Sequence, residues 1–405
     1  VVGEICETCM DELSCTGHAG EPEILHAPLP LRLVTATRDV AVPDLHALAP
    51  MGGADRDRWL GVSADGGVYE LLDGVATERA RITPVVGAVV YVSRDGRFAA
   101  IVEARGVRGV VIDFATNMQH AISRDGYHSG HCEYPFAFVE RDGRTLFVHS
   151  PRWNKLDLCD AESGECITPR TADELKSHLL DYFHASLRVS PDQRLLSDDG
   201  WVWGPEGSIK SVSIDAWVAS RFETEDGPTR KHLESRAYGW GMPLVWIGND
   251  ELVFWGYGRD EESLVRAAQI WNGITGKRVR WFGGVVHGQF CIDERQLIAF
   301  DKTTLQVWDL DRGALVATVE HPGLAFYHPS AKLFSTAVID GKQTVAHLAG
   351  HHTVDHELVQ RGDPADLSVL ADVLEVRGFT DEYVLAHARS PGEHHGRCWV
   401  FERLR

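Results

Sequence analysis

The sequence lacks several features that would place it in a large functional class. No run of apolar residues approaches the roughly 18 that a transmembrane helix needs, so the sequence predicts no membrane span. Positive charge is in deficit, because 59 Asp and Glu residues outnumber 40 Lys and Arg residues and the net charge is -19. Phosphates and anionic lipids are bound through Lys and Arg, so we expect neither a nucleic acid nor a membrane as partner.

Cysteine and catalytic motifs are scarce as well. With 8 cysteines in 405 residues, the chain has too few for a disulfide scaffold. It contains no Gly-x-Ser-x-Gly elbow, no His-Glu-x-x-His pair and no phosphate-binding loop, so no nucleotide cofactor is indicated. Residues 1–15 lack the charged and then apolar pattern of a secretory signal, which favours a cytoplasmic location, although a signal already removed would leave the same start.

An internal repeat organises the rest of the chain. Each copy reads as an apolar strand, an acidic turn, a second strand, a third strand ending in Asp or Asn, a turn with glycine and a fourth strand. The clearest copy spans Gln289–Glu320, with its acidic turn at Asp293-Glu294 and its third strand ending in Trp308-Asp309. We identify eight first turns, at Asp57, Asp95, Asp142, Asp192, Asp250, Asp293, Ala331 and Asp381.

This repeat predicts a β-propeller. Four short strands at a period of about 40–50 residues are the signature of propeller blades. One four-stranded sheet cannot bury both of its faces alone, whereas blades packed in a ring cover one another's faces and leave only short edges. We expect an all-β propeller over residues 29–405 with eight blades, or with seven if one unit is an insertion. The doubtful unit is the fourth, which runs into a long polar loop at Arg221–Arg236.

Both ends of the propeller sequence are expected to meet in one blade. The last unit, Glu375–Arg405, supplies only three strands, and Leu31–Arg38 is a strand without a unit of its own. This strand is therefore predicted to complete the last blade and fasten the ring. Two short helices are predicted between blades, at Ala172–Phe183 and Pro364–Leu374, where helical spacing of leucines follows a capping residue.

The ends of the third strands carry a resemblance to a known family. Val307-Trp308-Asp309 has cognates in Ile270-Trp271-Asn272, Ile112-Asp113 and Cys159-Asp160. On these motifs, most of residues 31–405 resembles the WD-repeat propellers. The resemblance implies a rigid platform that binds protein partners, in most cases without catalysis.

Residues 1–28 form a separate N-terminal arm with a candidate metal site. Cys6, Cys9, Cys15 and His18 provide three thiolates and one imidazole, the ligand set of a closed tetrahedral zinc site. The two-residue gap within each pair lets one turn present two ligands to the same ion. Free thiols, disulfides and a redox-active Cys6/Cys9 pair are the alternatives. Zinc, if bound, orders an arm that is otherwise too short to fold.

Histidines stand just before the first strand of several units. His131, His184, His287 and His321 are the main examples, with His46 as another. In a propeller these positions share one face around the mouth of the channel, where imidazoles bind a metal or an anionic ligand. The alternative is structural, because WD-repeat blades commonly carry a histidine here in a hydrogen-bond network, and Gly130-His131 looks like that dipeptide.

The sequence supports two functional hypotheses. The first is a non-enzymatic scaffold that binds a protein or peptide partner, with a zinc-stapled N-terminal arm as a docking element. The second is a metal-dependent hydrolase or lyase whose site lies at the channel mouth, lined by His131, His184, His287 and His321. Metal analysis separates them, because the scaffold predicts zinc that depends on Cys6 and the enzyme predicts a metal that depends on His287.

Overall fold

The structure of the chain is a computed structural model, and it describes residues 31–42, 44–52, 57–178, 180–258, 263–321 and 323–349. These residues form seven antiparallel sheets, of which six have four strands and one has three. No helix in this part of the chain is long and apolar enough to cross a bilayer.

The strands follow one another in chain order, with each sheet forming one blade. Blade 1 contains β2 (Leu45–Pro50), β3 (Arg58–Ser63), β4 (Gly67–Leu72) and β5 (Val75–Arg81). Blade 2 contains β6 (Ala88–Val92), β7 (Phe98–Glu103), β8 (Arg108–Asp113) and β9 (Met118–Ser123). Blade 3 contains β10 (Phe136–Arg141), β11 (Arg144–Arg152) and β12 (Lys155–Asp160). Blade 4 contains β13 (Phe183–Val189), β14 (Leu195–Val202), β15 (Glu206–Ser213) and β16 (Lys231–Ala237).

The second half of the ring repeats this order until the closing blade. Blade 5 contains β17 (Leu244–Trp246), β18 (Glu251–Tyr257), β19 (Val265–Asn272) and β20 (Lys277–Gly283). Blade 6 contains β21 (Gln289–Asp293), β22 (Gln296–Phe300), β23 (Thr304–Asp309) and β24 (Ala314–Glu320). Blade 7 contains β25 (Phe326–His328), β26 (Leu333–Ser335), β27 (Lys342–Ala349) and, as its outer strand, β1 (Arg32–Asp39).

The first strands of the blades meet around a central channel. In chain order, β2 contacts β6, β6 contacts β10, β10 contacts β13, β13 contacts β17 and β17 contacts β21, while β25 contacts β2. Between blades 6 and 7, Gln289 Nε2 donates a hydrogen bond of 2.6 Å to the carbonyl of Ala325. The described sheets therefore form a closed ring, which confirms the predicted all-β propeller and the architecture implied by the resemblance to WD-repeat propellers.

The N-terminal strand closes the ring. β1 pairs antiparallel with β27, from Arg32 opposite Ala349 to Asp39 opposite Lys342. Closure by an N-terminal strand is thus confirmed, but the strand completes the blade of residues 326–349. The unit Glu375–Arg405, to which we assigned it, lies outside the described residues, as does the predicted turn at Asp381.

The described residues form seven blades and not the eight that we favoured. Leu45 at the start of blade 1 exchanges two backbone hydrogen bonds with Val338 of blade 7, at 2.9 and 3.0 Å. Because blades 1 and 7 are in direct contact, no further blade fits between them. The alternative prediction of seven blades is therefore the correct one.

The fourth unit is a complete blade, which corrects the long polar loop predicted at Arg221–Arg236. Its outer strand, β16, pairs with β15 along Glu206–Ser211. Two short helices, α2 (Ile214–Ala219) and α3 (Glu223–Asp226), are inserted between these strands. An outer strand has one exposed edge and tolerates polar residues, so the polarity of this segment resembled that of a loop.

The first predicted helix is shorter than expected. α1 (Ala172–Ser177) begins at the predicted residue, after a capping box in which Thr171 and Glu174 bond each other's backbone amides at 2.8 and 3.2 Å. It ends before Phe183, which instead starts β13 and stacks on Trp201 with ring centroids 4.0 Å apart. Burial of the Phe183 ring in the sheet stabilises a strand at this position, although the spacing of apolar residues predicted a helix. The second predicted helix, Pro364–Leu374, lies outside the described residues.

Asp and Asn at the ends of third strands stabilise the turns that follow. Asp309 Oδ1 accepts hydrogen bonds from the amides two and three residues later, at 2.8 and 2.9 Å. Asn272 makes the same two bonds at 3.1 and 2.8 Å, and Asp160 makes them at 3.0 and 2.9 Å. This local bonding needs no partner from another blade, which explains why the repeat is visible in the sequence.

Blade 3 has no fourth strand within the described residues. Its pairing after β12 continues at an isolated bridge between Cys159 and Cys166, both of which carry free thiols. The chain then turns inward at Arg170, whose fully buried guanidinium donates a hydrogen bond of 2.9 Å to Asp157 of β12. The same guanidinium also donates to Glu225 of α3. Because α3 belongs to blade 4, Arg170 joins the two blades.

Candidate functional site

The direction of the strands assigns every loop to one of two faces. Neighbouring strands of a blade run in opposite directions, so the loops leading into first strands and those between second and third strands share one face, which we call the upper face. At blades 3 and 4 these loops and the adjoining strand ends bring together a group of aromatic side chains. We call the solvent-facing members of this group the upper aromatic surface, formed by Tyr127, His128, Trp153, Trp203 and Trp240.

A single buried arginine fixes the loop that carries the first two of these rings. This arginine is Arg124, whose guanidinium stacks on the ring of Tyr134, 5.1 Å from its centroid. Its hydrogen bonds, of 2.7 to 3.2 Å, reach the carbonyl oxygens of Gly106, Ser129, Cys132 and Glu133. One cation thus satisfies several loop carbonyls at once, which holds the loop in one conformation.

Buried rings support the surface from below. Phe183 and Trp201 are stacked with planes 9° apart, and Trp240 stacks on Trp201 at 5.2 Å. Trp153 lies 4.4 Å from Phe183. Trp240 Nε1 donates a hydrogen bond of 2.8 Å to the carbonyl of His131, which connects the loop after blade 4 to the loop before blade 3. The base of the surface is therefore rigid across two blades.

Two rings project from this base into solvent. Tyr127 and Trp203 are each 49% exposed. Their ring centroids lie 4.6 and 4.8 Å from that of His128, in edge-on geometry. His128 has a φ of 54°, a left-handed conformation that few residues other than glycine adopt. Exposed aromatic faces held on a fixed base can bind apolar or cationic groups.

The charges around the surface are mostly negative. In the described loops and strand ends that carry the rings, the exposed carboxylates are Glu133, Asp181 and Glu206, and the exposed cation is Arg152. Asp125, also in these loops, is half-buried and accepts hydrogen bonds from the amides of Tyr127 and Trp153, at 3.3 and 3.2 Å. The electrostatic environment therefore favours a cationic group over an anionic one.

Two of the predicted histidines lie beside this surface. His131 is exposed, with its ring 6.4 Å from that of Trp201. His184 is buried in β13, and its Nδ1 lies 2.5 Å from Asp198 Oδ2. The fold thus brings both residues to the junction of blades 3 and 4, one at the surface and one below it.

The other two predicted histidines lie at the first strands of blades 6 and 7. His287 is edge-on to Trp255 with ring centroids 4.7 Å apart, and burial lowers its pKa below the usual range. His321 Nδ1 accepts a hydrogen bond of 3.0 Å from the amide of Leu324, and burial lowers its pKa as well. Ligand binding by His131, His184, His287 and His321 stays a prediction.

Metal binding also stays a prediction. Among the residues that the structure describes, no group of three or more His, Cys, Asp or Glu side chains is arranged to hold a metal ion. The predicted zinc ligands Cys6, Cys9, Cys15 and His18 lie outside those residues.

The channel contains a cavity of about 780 Å³. Its wall includes the aromatic residues Tyr91, Phe138 and Phe326 and the charged residues Arg94, Glu133, Glu140 and Arg188. Burial raises the pKa of Tyr91 to about 12, so its hydroxyl stays protonated at neutral pH. Because Glu133 belongs both to this wall and to the loop that carries Tyr127, the cavity and the upper aromatic surface are adjacent.

Sequence reasoning missed the upper aromatic surface. Its members come from separate loops between Tyr127 and Trp240, and only the ring of blades brings them together. One signal was present, because Trp153 and Trp203 stand in connections where the repeat predicts polar turn residues.

No protein-family model matches this sequence, and no curated protein matches it at a significant level.

Proposed function

We propose that this β-propeller is a non-enzymatic scaffold and that its upper aromatic surface binds a peptide segment of a protein partner. The segment presents a Lys or Arg side chain. The observation that carries the proposal is the exposure of Tyr127 and Trp203, each 49%, above a base of stacked rings.

The chemistry of the surface favours a cationic side chain. A guanidinium or ammonium group over an aromatic face gains about 0.5–2 kcal/mol, and nearby carboxylates add attraction. Glu133, Asp181 and Glu206 supply those carboxylates. The surface also spans loops of two blades, which suits a chain of several residues better than a small amine.

The rigidity of the upper aromatic surface supports a role in binding a partner. Exposed Trp and Tyr side chains are the commonest binding hot spots, and a preorganised surface loses little entropy when a partner binds. Arg124 and the Phe183–Trp201 stack provide that preorganisation.

The test uses an array of defined peptides in which one central Lys or Arg is flanked by apolar residues, with Gln-containing copies as controls. The peptides that bind the full chain are then titrated against Trp203→Ala and Tyr127→Ala. We expect each variant to weaken binding at least about 30-fold, the loss typical of a hot-spot residue.

Ile274→Ala is the matched control. Ile274 is 57% exposed and lies in a loop between third and fourth strands, on the face opposite the upper aromatic surface. Its truncation is expected to leave binding unchanged. Equal binding of the Gln copies, or equal losses in Ile274→Ala and Trp203→Ala, would contradict the proposal.

A further inference from the structure

Blade 4 encloses a group of charged side chains beneath the upper aromatic surface. We call Tyr182, His184, Asp198, Lys210 and Arg230 the blade 4 cluster. A cavity of about 20 Å³ lies among them, and Leu156, Leu196 and Val212 line its apolar side. A cavity of this size holds one particle as large as a water molecule and no organic ligand.

Polar side-chain atoms of the cluster lack hydrogen-bond partners in the described part of the chain. Arg230 Nη2 and His184 Nε2 are buried and have no hydrogen-bond partner there. Lys210 Nζ lies 3.6 Å from the centre of the Tyr182 ring, and no carboxylate of the described residues lies within salt-bridge distance of it. All three side chains line the same small cavity.

The carboxylate of the cluster is already engaged. Asp198 Oδ2 contacts His184 Nδ1 at 2.5 Å, and Asp198 Oδ1 accepts a hydrogen bond of 3.2 Å from the amide of Ala185. Asp198 therefore pairs with His184, and Lys210 and Arg230 have no carboxylate of their own.

The neighbouring carboxylates are engaged elsewhere, and the buried Glu223 of α3 accepts hydrogen bonds from the backbone amide and the hydroxyl of Thr229. Arg170 bonds both Asp157 and Glu225, and Lys155 also bonds Asp157, at 2.9 Å. On the other side of the blade, the fully buried Asp199 pairs with Arg236 at 3.4 Å. When Lys210 is protonated, the blade 4 cluster thus holds two cations, Lys210 and Arg230, against the one carboxylate of Asp198, an excess of one positive charge.

The pKa values of both cations of the cluster are lowered. Burial, followed by the charge of Arg230, lowers the pKa of Lys210 to about 7. Burial also lowers the pKa of Arg230. Buried charges normally have a paired counter-charge, because an uncompensated one is expensive to remove from water.

We infer that this cavity binds one monovalent anion of halide size. The anion supplies the missing negative charge and accepts hydrogen bonds from Lys210 Nζ and Arg230 Nη2. A polyatomic anion such as phosphate exceeds the cavity, and a water molecule fits it but leaves the positive charge unbalanced. The blade 4 cluster is thus a halide site that stabilises the folded propeller.

The first experiment compares the melting temperature of the full chain in sodium bromide and in sodium gluconate at equal concentration. Because a ligand that binds only the folded state stabilises it by mass action, bromide is expected to raise the melting temperature by several degrees, with saturation. Lys210→Met removes the excess charge and is expected to abolish this difference. Lys277→Met, at an exposed lysine of blade 5, is expected to keep it.

A crystal grown in sodium bromide gives a second readout that needs no variant. An anomalous peak in the cavity between Lys210 and Arg230 is the expected result. Density for water without an anomalous signal there would overturn the inference. Equal melting temperatures in the two salts, or equal bromide effects in Lys210→Met and Lys277→Met, would overturn it as well.

Discussion

Replacing Arg170 by methionine is expected to destabilise the propeller by about 3–5 kcal/mol, the usual loss when one partner of a buried ion pair is removed. The Arg170 side chain is fully buried and bonds Glu225, which is 2% exposed, and Asp157, which is 11% exposed. It also bonds the carbonyls of Leu156 and Arg221. Methionine fills similar space but leaves Glu225 buried without its cation.

A second substitution separates this charge effect from loss of packing. Glu225→Gln removes the unpaired charge, so the double variant Arg170→Met/Glu225→Gln is expected to recover about 1–3 kcal/mol relative to Arg170→Met. Arg144→Met is the surface control, because Arg144 is 59% exposed and its bond to Asp160 is 3.3 Å long. Surface pairs contribute about 0–1 kcal/mol, so this variant is expected to stay near wild type.

The free energy of unfolding is measured by urea titration for the wild type, Arg170→Met, Arg170→Met/Glu225→Gln and Arg144→Met. Tryptophan fluorescence reports the unfolding, since the chain contains 12 tryptophans. The ion-pair prediction fails if the stability of Arg170→Met lies within about 1 kcal/mol of that of Arg144→Met, the range expected for a surface pair. It also fails if Glu225→Gln restores nothing, because the loss would then come from packing and not from an unpaired carboxylate.

Three further predictions concern other parts of the chain. Burial lowers the pKa of His149 to about 4. The unfolded chain takes up this proton below about pH 6.5, so about 3 kcal/mol of stability is lost as the pH falls from 6.5 to 4, and acid titration of His149→Gln is expected to show a smaller loss. Deleting residues 1–39 exposes the edge of β27 and is expected to cause self-association in light scattering, whereas deleting residues 1–30 keeps β1 and should not. Elemental analysis is expected to find about one zinc per chain, lost in Cys6→Ser, if Cys6, Cys9, Cys15 and His18 form the predicted site.

The fold was largely predictable because its repeat is local. The first turns from Asp57 to Ala331 lie where the first strand of each of blades 1 to 7 leads into the second, with Asp293 as the last residue of its first strand. Asp309 and its cognates cap turns with their own neighbours, so their spacing survives in the sequence. The predicted number of blades was wrong because that number depends on which strands pair across the whole chain. The contact between Leu45 and Val338, which excludes an eighth blade, has no local signature.

The candidate site was mostly beyond sequence reasoning. His131 and His184 drew attention as residue types that bind ligands, and they do lie near the upper aromatic surface. The surface itself depends on contacts such as that between Tyr127 and Trp203, whose rings are 6.3 Å apart although they belong to different blades. Trp153 and Trp203 do stand in turns, but their positions in the sequence do not show that the turns of two blades meet on one surface.

Closure by β1 also constrains the order of folding during synthesis. Asp39 pairs with Lys342 and Arg32 with Ala349, so β1 leaves the ribosome about 300 residues before its partner. At 5–20 residues per second, the interval is roughly 15–60 s. An unpaired strand is an aggregation hazard over such a time. The polar sequence of β1, with Thr35, Thr37 and charged residues near both ends, suits a segment that must stay unpaired in water until the ring is complete.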